Sequence, residues 1–319
     1  MSATDTRSLP DYAPIPAKAQ PPPLNEQGYA VSQVERNLYL VTDGTYNSAF
    51  LTTSDGVVLL DVPPTIGHNI QRAVDEVAAA NDVSNKVNYI IYSHHHADHN
   101  GASSLWDKNV TRIGHEETRN LLVRNDDPAR PPNEETFQDR RSIEIGGERI
   151  ELAWHGSNHS PDNIVIHLPG HDTLMLVDIV NPGWAPLYLS NLSDDIPGYI
   201  KAPETALEYP WKHFIGGHMG RVGTRDDITL HQRYMADLSE SARRAIDTVD
   251  PTPYFVKYAD NSWAAVRGYL DACAAATAAP VVKKYLGVLA AVDVYTDSTA
   301  FWVMQSVRLD LGYGSQVHP

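Results

Sequence analysis

The chain is 319 residues long, enough for one large domain or two smaller ones with a substantial buried core. Hydrophobic residues make up 42% of it and charged residues 20%, the balance of a soluble globular protein. Its formal net charge of −15 argues against a phosphate-backbone partner, because nucleic-acid binders present a basic patch. The single cysteine, Cys273, excludes an intramolecular disulfide and a thiolate metal cluster, and between Ala272 and Ala274 it reads as a buried structural residue.

The N-terminal stretch 1–27 is rich in proline and alanine and reads as a disordered arm or a surface wrap. It lacks the basic start and apolar run of a signal peptide, so a cytoplasmic location is expected. A secreted or periplasmic chain whose signal had been removed would begin in the same way. From Gly28 the pattern changes to short β-rich runs, 30–34, 38–41, 48–52 and 57–60, with Asp43-Gly44 and Asp55-Gly56 as turns. Residues 66–80 follow as a helix with Ile70, Val74 and Val77 on one face, and 86–92 as a buried strand. Further strands are expected at 110–113, 149–155, 163–168, 173–177 and 211–215, with a helix at 116–124 and a proline-rich loop at 126–133. Strands followed by helices, twice over, define an α/β layered domain over 28–226.

Residues 227–319 are helical in character, with amphipathic or Ala/Leu/Val-rich runs at 227–248, 262–278 and 280–291. This C-terminal extension is expected to pack on the core or to make a homo-oligomer contact. The apolar run 286–294 is flanked by Lys283 and Lys284 and broken by Asp293, too short and too charged to span a membrane.

Chemistry concentrates just past the strand at 86–92, in Ser93-His94-His95-His96-Ala97-Asp98-His99. Alternating positions put His94 and His96 on one side of the chain, and Asp98 and His99 follow in a tight turn into a helix. Imidazole and carboxylate donors in one small volume suit zinc, iron, manganese or cobalt, with zinc the default for a non-redox site. The bland alternative is a surface histidine cluster. His95 points away from its neighbours and belongs behind the site or on the surface; His115 reads as structural.

The segment resembles the HxHxDH motif of the metallo-β-lactamase superfamily. That resemblance implies a four-layer αβ/βα sandwich and a ligand set continuing in chain order. His159 in Gly156-Ser157-Asn158-His159-Ser160-Pro161-Asp162-Asn163, Asp178 at the end of Leu174-Met175-Leu176-Val177, and His218 after Gly216-Gly217 match its later motifs. By position, His94, His96 and His159 would bind a first metal, Asp98, His99 and His218 a second, with Asp178 bridging. Two divalent ions, zinc or else iron or manganese, would share a hydroxide that attacks a carbonyl substrate, with Asp98 relaying its proton.

True β-lactamases of the family carry cysteine or serine where Asp178 stands, and one subclass has a lysine where Asn181 stands. The bridging aspartate instead resembles the glyoxalase-type, lactonase and phosphodiesterase branches. A small-molecule lactone or carboxylic ester is therefore the expected substrate, ahead of a β-lactam or a phosphodiester or sulfate ester. Trp184 and Tyr188, in the loop after Asp178, are candidates for an apolar substrate wall. A di-iron redox protein is the rival from another class, but the alanine-rich tail offers no flavin-phosphate loop.

Overall fold

In the computed structural model, which describes residues 9–106 and 109–314, twelve strands form two sheets. The first runs in sequence order through β1 (Ala30–Glu35), β2 (Leu38–Thr42), β3 (Asn47–Thr53), β4 (Gly56–Leu60), β5 (Val87–Ile91), β6 (Thr111–His115) and β7 (Glu135–Phe137). β1 to β4 are an antiparallel meander, and β4 to β7 pair in parallel. The second sheet has the order β12 (His213–Ile215), β11 (Thr173–Met175), β10 (Val165–Leu168), β9 (Glu148–Ala153), β8 (Arg140–Ile145).

The apolar runs explain the layering. Along β3 and β4, Ala49, Leu51, Val58 and Leu60 point to one face and Phe50, Val57 and Leu59 to the other, and all are buried. A strand buried on both faces needs an unbroken hydrophobic run rather than alternation. The inner face meets Ile150, Leu152, Ile166, Met175, Val177 and Ile215 of the second sheet. The outer face is covered by Ile70, Ala73, Val74 and Val77 of α1 (His68–Asn81) and Leu122 of α3 (Glu116–Asn125), α2 (Ala97–Asn100) being the short turn between them. Beyond the second sheet, Ala153, Val165 and Leu176 face Ala202 and Thr205 of α5 (Ile196–Glu208), which follows the short turn α4 (Tyr188–Leu192). Helix, sheet, sheet, helix is a four-layer αβ/βα sandwich. Each such buried aliphatic side chain contributes about 1.5–3 kcal/mol relative to exposure, so the packing of the sheets fixes where the strands end.

Two compact units divide the chain. One comprises Gln20–Pro182 and Ser190–Ala236 and contains both sheets. The other comprises Gly183–Leu189 with the segments up to Ala19 and from Asp237 onward. Within the latter lie the end of α6 (Arg225–Thr248), α7 (Thr252–Lys257), α8 (Ser262–Tyr285) and α9 (Val292–Leu309). Cys273, Ala274, Ala278 and Val281 of α8, and Ala300, Val303, Met304 and Val307 of α9, are buried there. Ala19 is also buried, and its carbonyl accepts from the Trp184 indole at 2.9 Å. None of the described helices is long and apolar enough to cross a membrane.

Several elements depart from the sequence expectation. A helix break was expected between 278 and 280, yet Pro280 lies inside the continuous α8. Burial of Thr277, Ala278 and Val281 around it offsets the lost backbone hydrogen bond. β8 was not anticipated because charged and polar residues fill its exposed positions; its pairing with β9 sets it as an edge strand. Nor was α5, whose Pro197 and Pro203 interrupt the helical pattern, although Asp195 caps it by accepting from the Gly198 amide at 3.0 Å.

His231 of α6 is buried against Tyr199 of α5, ring centroids 5.7 Å apart, and burial pushes its imidazole pKa down to about 3. A histidine whose folded pKa is depressed contributes stability above its unfolded pKa of about 6.5 that is lost as pH falls toward the folded value. Between pH 6.5 and 5.5 the loss is about 1 kcal/mol. Urea unfolding at those two pH values is expected to show a smaller pH effect in His231→Leu than in the parent chain.

Candidate metal centre

All seven motif residues stand where strands end. β5 ends at Ile91, and two buried residues later the chain presents His94, then His96 as the N-cap of α2, then Asp98 and His99 within it. His159 lies in the loop between β9 and β10, its amide donating to Asn158 Oδ1 at 2.7 Å. Asp178 follows β11, and His218 follows β12.

The fold gathers these residues into two groups that share one member: His94, His96, His159 and Asp178, and Asp98, His99, His218 and Asp178. In the first, His159 Nε2 is 3.0 Å from His96 Nδ1 and 3.1 Å from Asp178 Oδ2, and His94 Nε2 is 3.6 Å from the same oxygen. In the second, His99 Nε2 is 3.1 Å from Asp178 Oδ2 and 3.6 Å from Asp98 Oδ2, and His218 Nε2 is 2.9 Å from Asp178 Oδ1.

These spacings match the edges of a coordination polyhedron, about 3.3 Å for a tetrahedron with bonds of 2.0–2.1 Å. Hydrogen bonding gives a sharper test. The Ser93 hydroxyl donates to Asp61 Oδ2 at 2.6 Å, so its proton is committed. At the 2.9 Å contact between Ser93 Oγ and His94 Nδ1, the imidazole must therefore be the donor. That leaves His94 Nε2 as a buried lone pair facing a carboxylate oxygen, without a hydrogen-bond partner. His99 Nε2 and Asp178 Oδ1 are likewise buried without one. Each such atom costs about 1–3 kcal/mol, and a cation between them satisfies the set. Nitrogen and oxygen donors of this kind suit divalent transition ions.

The protonation pattern of the cluster itself tells the same story. Burial and the neighbouring His96 and His159 hold His94 well below the ordinary imidazole range. Burial, with His159 and His95, brings His96 down to about 4. Burial also disfavours a charged His99, but Asp178, Asp98 and Asp61 outweigh it and carry the ring up to about 9. Asp178 is held well below the carboxylate range against its own burial by His99, His218 and His159. With no cation between them, the buried Asp178 carboxylate favours the charged form of the His99 imidazole.

Several supporting residues were not anticipated. Asp61 follows β4 directly, is fully buried, and accepts from both the amide of Ser93 at 2.7 Å and its hydroxyl, so it orients His94 through Ser93. Burial, opposed by His99 and Ser93, pushes its carboxyl up to about 6. The available signal was an acidic residue closing an apolar strand, the same context that singled out Asp178. His95 belongs to neither group; it shares a 2.9 Å hydrogen bond with Asp162, which also accepts from Thr118 and Ser160 at 2.8 Å. His115 caps α3, and its Nε2 bonds the Gln138 carbonyl at 2.7 Å. Gly217 is required by close approach: a Cβ there would lie 2.6 Å from His99 Cε1 and from Val177 Cγ1.

Tyr46 was also missed. Its ring packs 4.7 Å from His218 and 5.8 Å from His99. Burial, then the charges of Asp98 and Asp178, raise its phenol above the usual range. Trp184 and Tyr188 are in neither ligand group. The Trp184 indole is engaged by Ala19, and the exposed Tyr188 borders a cavity of about 530 Å³ with Leu189, Phe301 and Trp302.

Sandwich, motif order and strand-end site together define a class. The chain belongs to the metallo-beta-lactamase superfamily, whose family pattern matches residues 41–245. It is 24% identical over 231 residues to the 2,4-dinitroanisole O-demethylase subunit alpha of Nocardioides sp. (strain JS1661), spanning 70% of this chain and 68% of that protein. To the metallo-beta-lactamase type 2 of Bacillus cereus it is 26% identical over 226 residues, 65% of this chain and 82% of that one. The solved metallo-beta-lactamase from Pontibacter korlensis superposes with a TM-score of 0.54 at 20% identity, covering 64% of this chain and 97% of its own.

Substituting His96→Ala or Asp178→Asn is expected to lower the metal content of the purified protein while its circular dichroism is retained. Asp61→Asn keeps the shape but weakens the hold on Ser93 and His94, and metal affinity should fall about 10–100-fold in a chelator-competition titration. Unchanged affinity in that variant would remove Asp61 from the site.

Proposed function

We propose that the chain is a dinuclear metal-dependent hydrolase that binds zinc and cleaves a lactone or another carboxylic ester. The observation that carries this reading is the shared position of Asp178, with Oδ2 facing His94, His159 and His99 and Oδ1 facing His218. In it, His94, His96 and His159 hold one ion, Asp98, His99 and His218 the other, and Asp178 serves both. Divalent ions there would supply a Lewis acid for a substrate oxygen and bring the pKa of a water toward neutrality.

The protein's own part is orientation and proton handling. The side chain of Asp98 is 42% exposed and that of Asp178 only 3%, so Asp98 is the carboxylate that meets water and substrate. Its role is to orient the attacking water and accept its proton. The buried rings of His94, His99 and His218 close the other side of the centre to solvent, which strengthens every charge interaction within it.

The net charge of −15 favours a small-molecule ester over a nucleic acid. Asn181 is buried, which weighs against its serving a β-lactam carboxylate as an exposed lysine would. A second reading, cleavage of an aryl methyl ether, is favoured by one observation: the Nocardioides relative is named an O-demethylase.

Metal quantification coupled to a hydrolysis panel tests the proposal: lactones, aryl esters, β-lactams, thioesters, phosphodiesters, sulfate esters and an aryl methyl ether. Turnover of lactones or aryl esters, abolished by chelation and restored by zinc, is the expected outcome. Turnover that survives complete metal removal would sink the mechanism. Iron with a visible absorption band would move the assignment to redox chemistry.

A further inference from the structure

The ligand set leaves a gap in the chemistry. Each imidazole nitrogen turned toward Asp178 would serve as a lone-pair donor to a cation, and both carboxylates are acceptors. A hydrogen-bond donor that reinforces the Lewis acid at the substrate oxygen would come from a residue outside the two groups.

Tyr46 is placed to be that residue. It sits at the tip of the hairpin joining β2 to β3, and this tip is tied to the loop that carries His218. Asn47 donates its amide to Gly217 O at 2.9 Å and its side-chain amide to Gly216 O and His218 O at 2.9 and 3.1 Å. Its Oδ1 accepts from the Gly220 amide at 3.1 Å, and Met219 donates its amide to Thr45 O at 2.9 Å. The Tyr46 amide donates to Asp43 Oδ1 at 2.7 Å, and its carbonyl accepts from Thr42 Oγ1 at 2.7 Å. The ring thereby lies over His218 and beside His99, half-buried, while no hydrogen bond among the described residues uses its phenolic oxygen. A residue present only to cover His218 would need the ring and not the hydroxyl.

We propose that Tyr46 is a catalytic residue whose phenolic O–H donates a hydrogen bond to the substrate oxygen that gains negative charge, on the Asp98–His99–His218 side of the centre. The inference rests on the ester-hydrolysis reading for its substrate. The ring is held by the hairpin and the His218 loop before substrate arrives, and preorganised donors at a developing oxyanion are among the largest single contributions to catalysis.

The test is Tyr46→Phe in the full chain loaded with zinc, which keeps the ring and removes the donor. Three quantities are read: metal content, kcat and KM on an aryl acetate, and calorimetric affinity for methylphosphonate, a tetrahedral anion. The expected result is unchanged metal content, a kcat lower by about 100-fold with little change in KM, and methylphosphonate binding about tenfold weaker. Equal kcat and equal methylphosphonate affinity in both proteins would overturn the proposal, as would loss of metal from the variant, which marks a role in holding His218. If the parent chain cleaves no ester while the variant still binds methylphosphonate about tenfold more weakly with full metal, the ester reading fails and Tyr46 stands as the oxyanion donor.

Discussion

A carboxylate almost closed off from water must be surrounded by positive charge or by donors, and Asp178 is such a group at the meeting point of five histidines. Removing an ionised carboxylate from water costs several kcal/mol even after relaxation, so it persists only where the structure repays that cost locally. Here repayment comes through His99, His218 and His159, each within about 3.1 Å of one of its oxygens. His99 is driven toward its charged form while His94 and His96 are driven toward neutrality. Imidazoles pulled in opposite directions within one small volume are in conflict, and bound cations would resolve it for all of them at once.

That constraint explains the demands placed on the fold. The candidate ligands come from loops after β5, β9, β11 and β12, so both sheets must end at one place. The common core of Leu51, Val58, Leu60, Ile91, Ile166, Met175 and Ile215 holds the strand ends together. Around the ligands, polar side chains spend their hydrogen bonds on the loop backbones. Asn100 donates to the His94 carbonyl at 2.8 Å, Asn163 to the Val177 carbonyl at 2.9 Å, and Asn47 to those of Gly216 and His218. Fixing carbonyls next to ligands fixes the ligands' directions, which is what metal affinity depends on.

The legible part of the candidate site was a dense histidine and aspartate run together with residues that close apolar strands. His94, His96, Asp98 and His99 are adjacent in sequence, and His159, Asp178 and His218 each follow an apolar strand that periodicity reveals. Tyr46 was not legible, because it meets the site by approach across the fold through the loop of His218, whereas Asp61 had the strand-end context of Asp178 but acts only through Ser93. Trp184 illustrates the converse. An aromatic in a loop after a candidate ligand reads as a substrate wall, and the bond from its indole to the Ala19 carbonyl, 165 residues distant in sequence, has no signal in the sequence. Elements followed the same division. The hydrophobic strands and α1 were evident from their patterns, whereas β8 and α5 are specified by pairing and capping that override charged or proline-bearing sequence.

The backbone around Asp178 carries a further mark of the same constraint. Asp61 and Asp178, each closing an apolar strand region, have φ of 56° and 61°. Leu189, Ser190, Asn191 and Leu192 follow in one left-handed turn with φ between 51° and 60°. Such a conformation costs an L-residue about 1–2 kcal/mol, and leucine, unlike asparagine, has no local hydrogen bond to offset it. Strain of this kind survives only where surrounding contacts over-determine it. Here the Asn191 side chain donates to the Asp178 carbonyl at 2.8 Å, and the next residues return to the histidine loop, Asp194 N to His159 O at 3.0 Å and Asp195 N to Asn158 O at 3.1 Å. The bonds from Asn191, Asp194 and Asp195 thus tie the segment after this turn to the backbone of Asp178 and to the His159 loop.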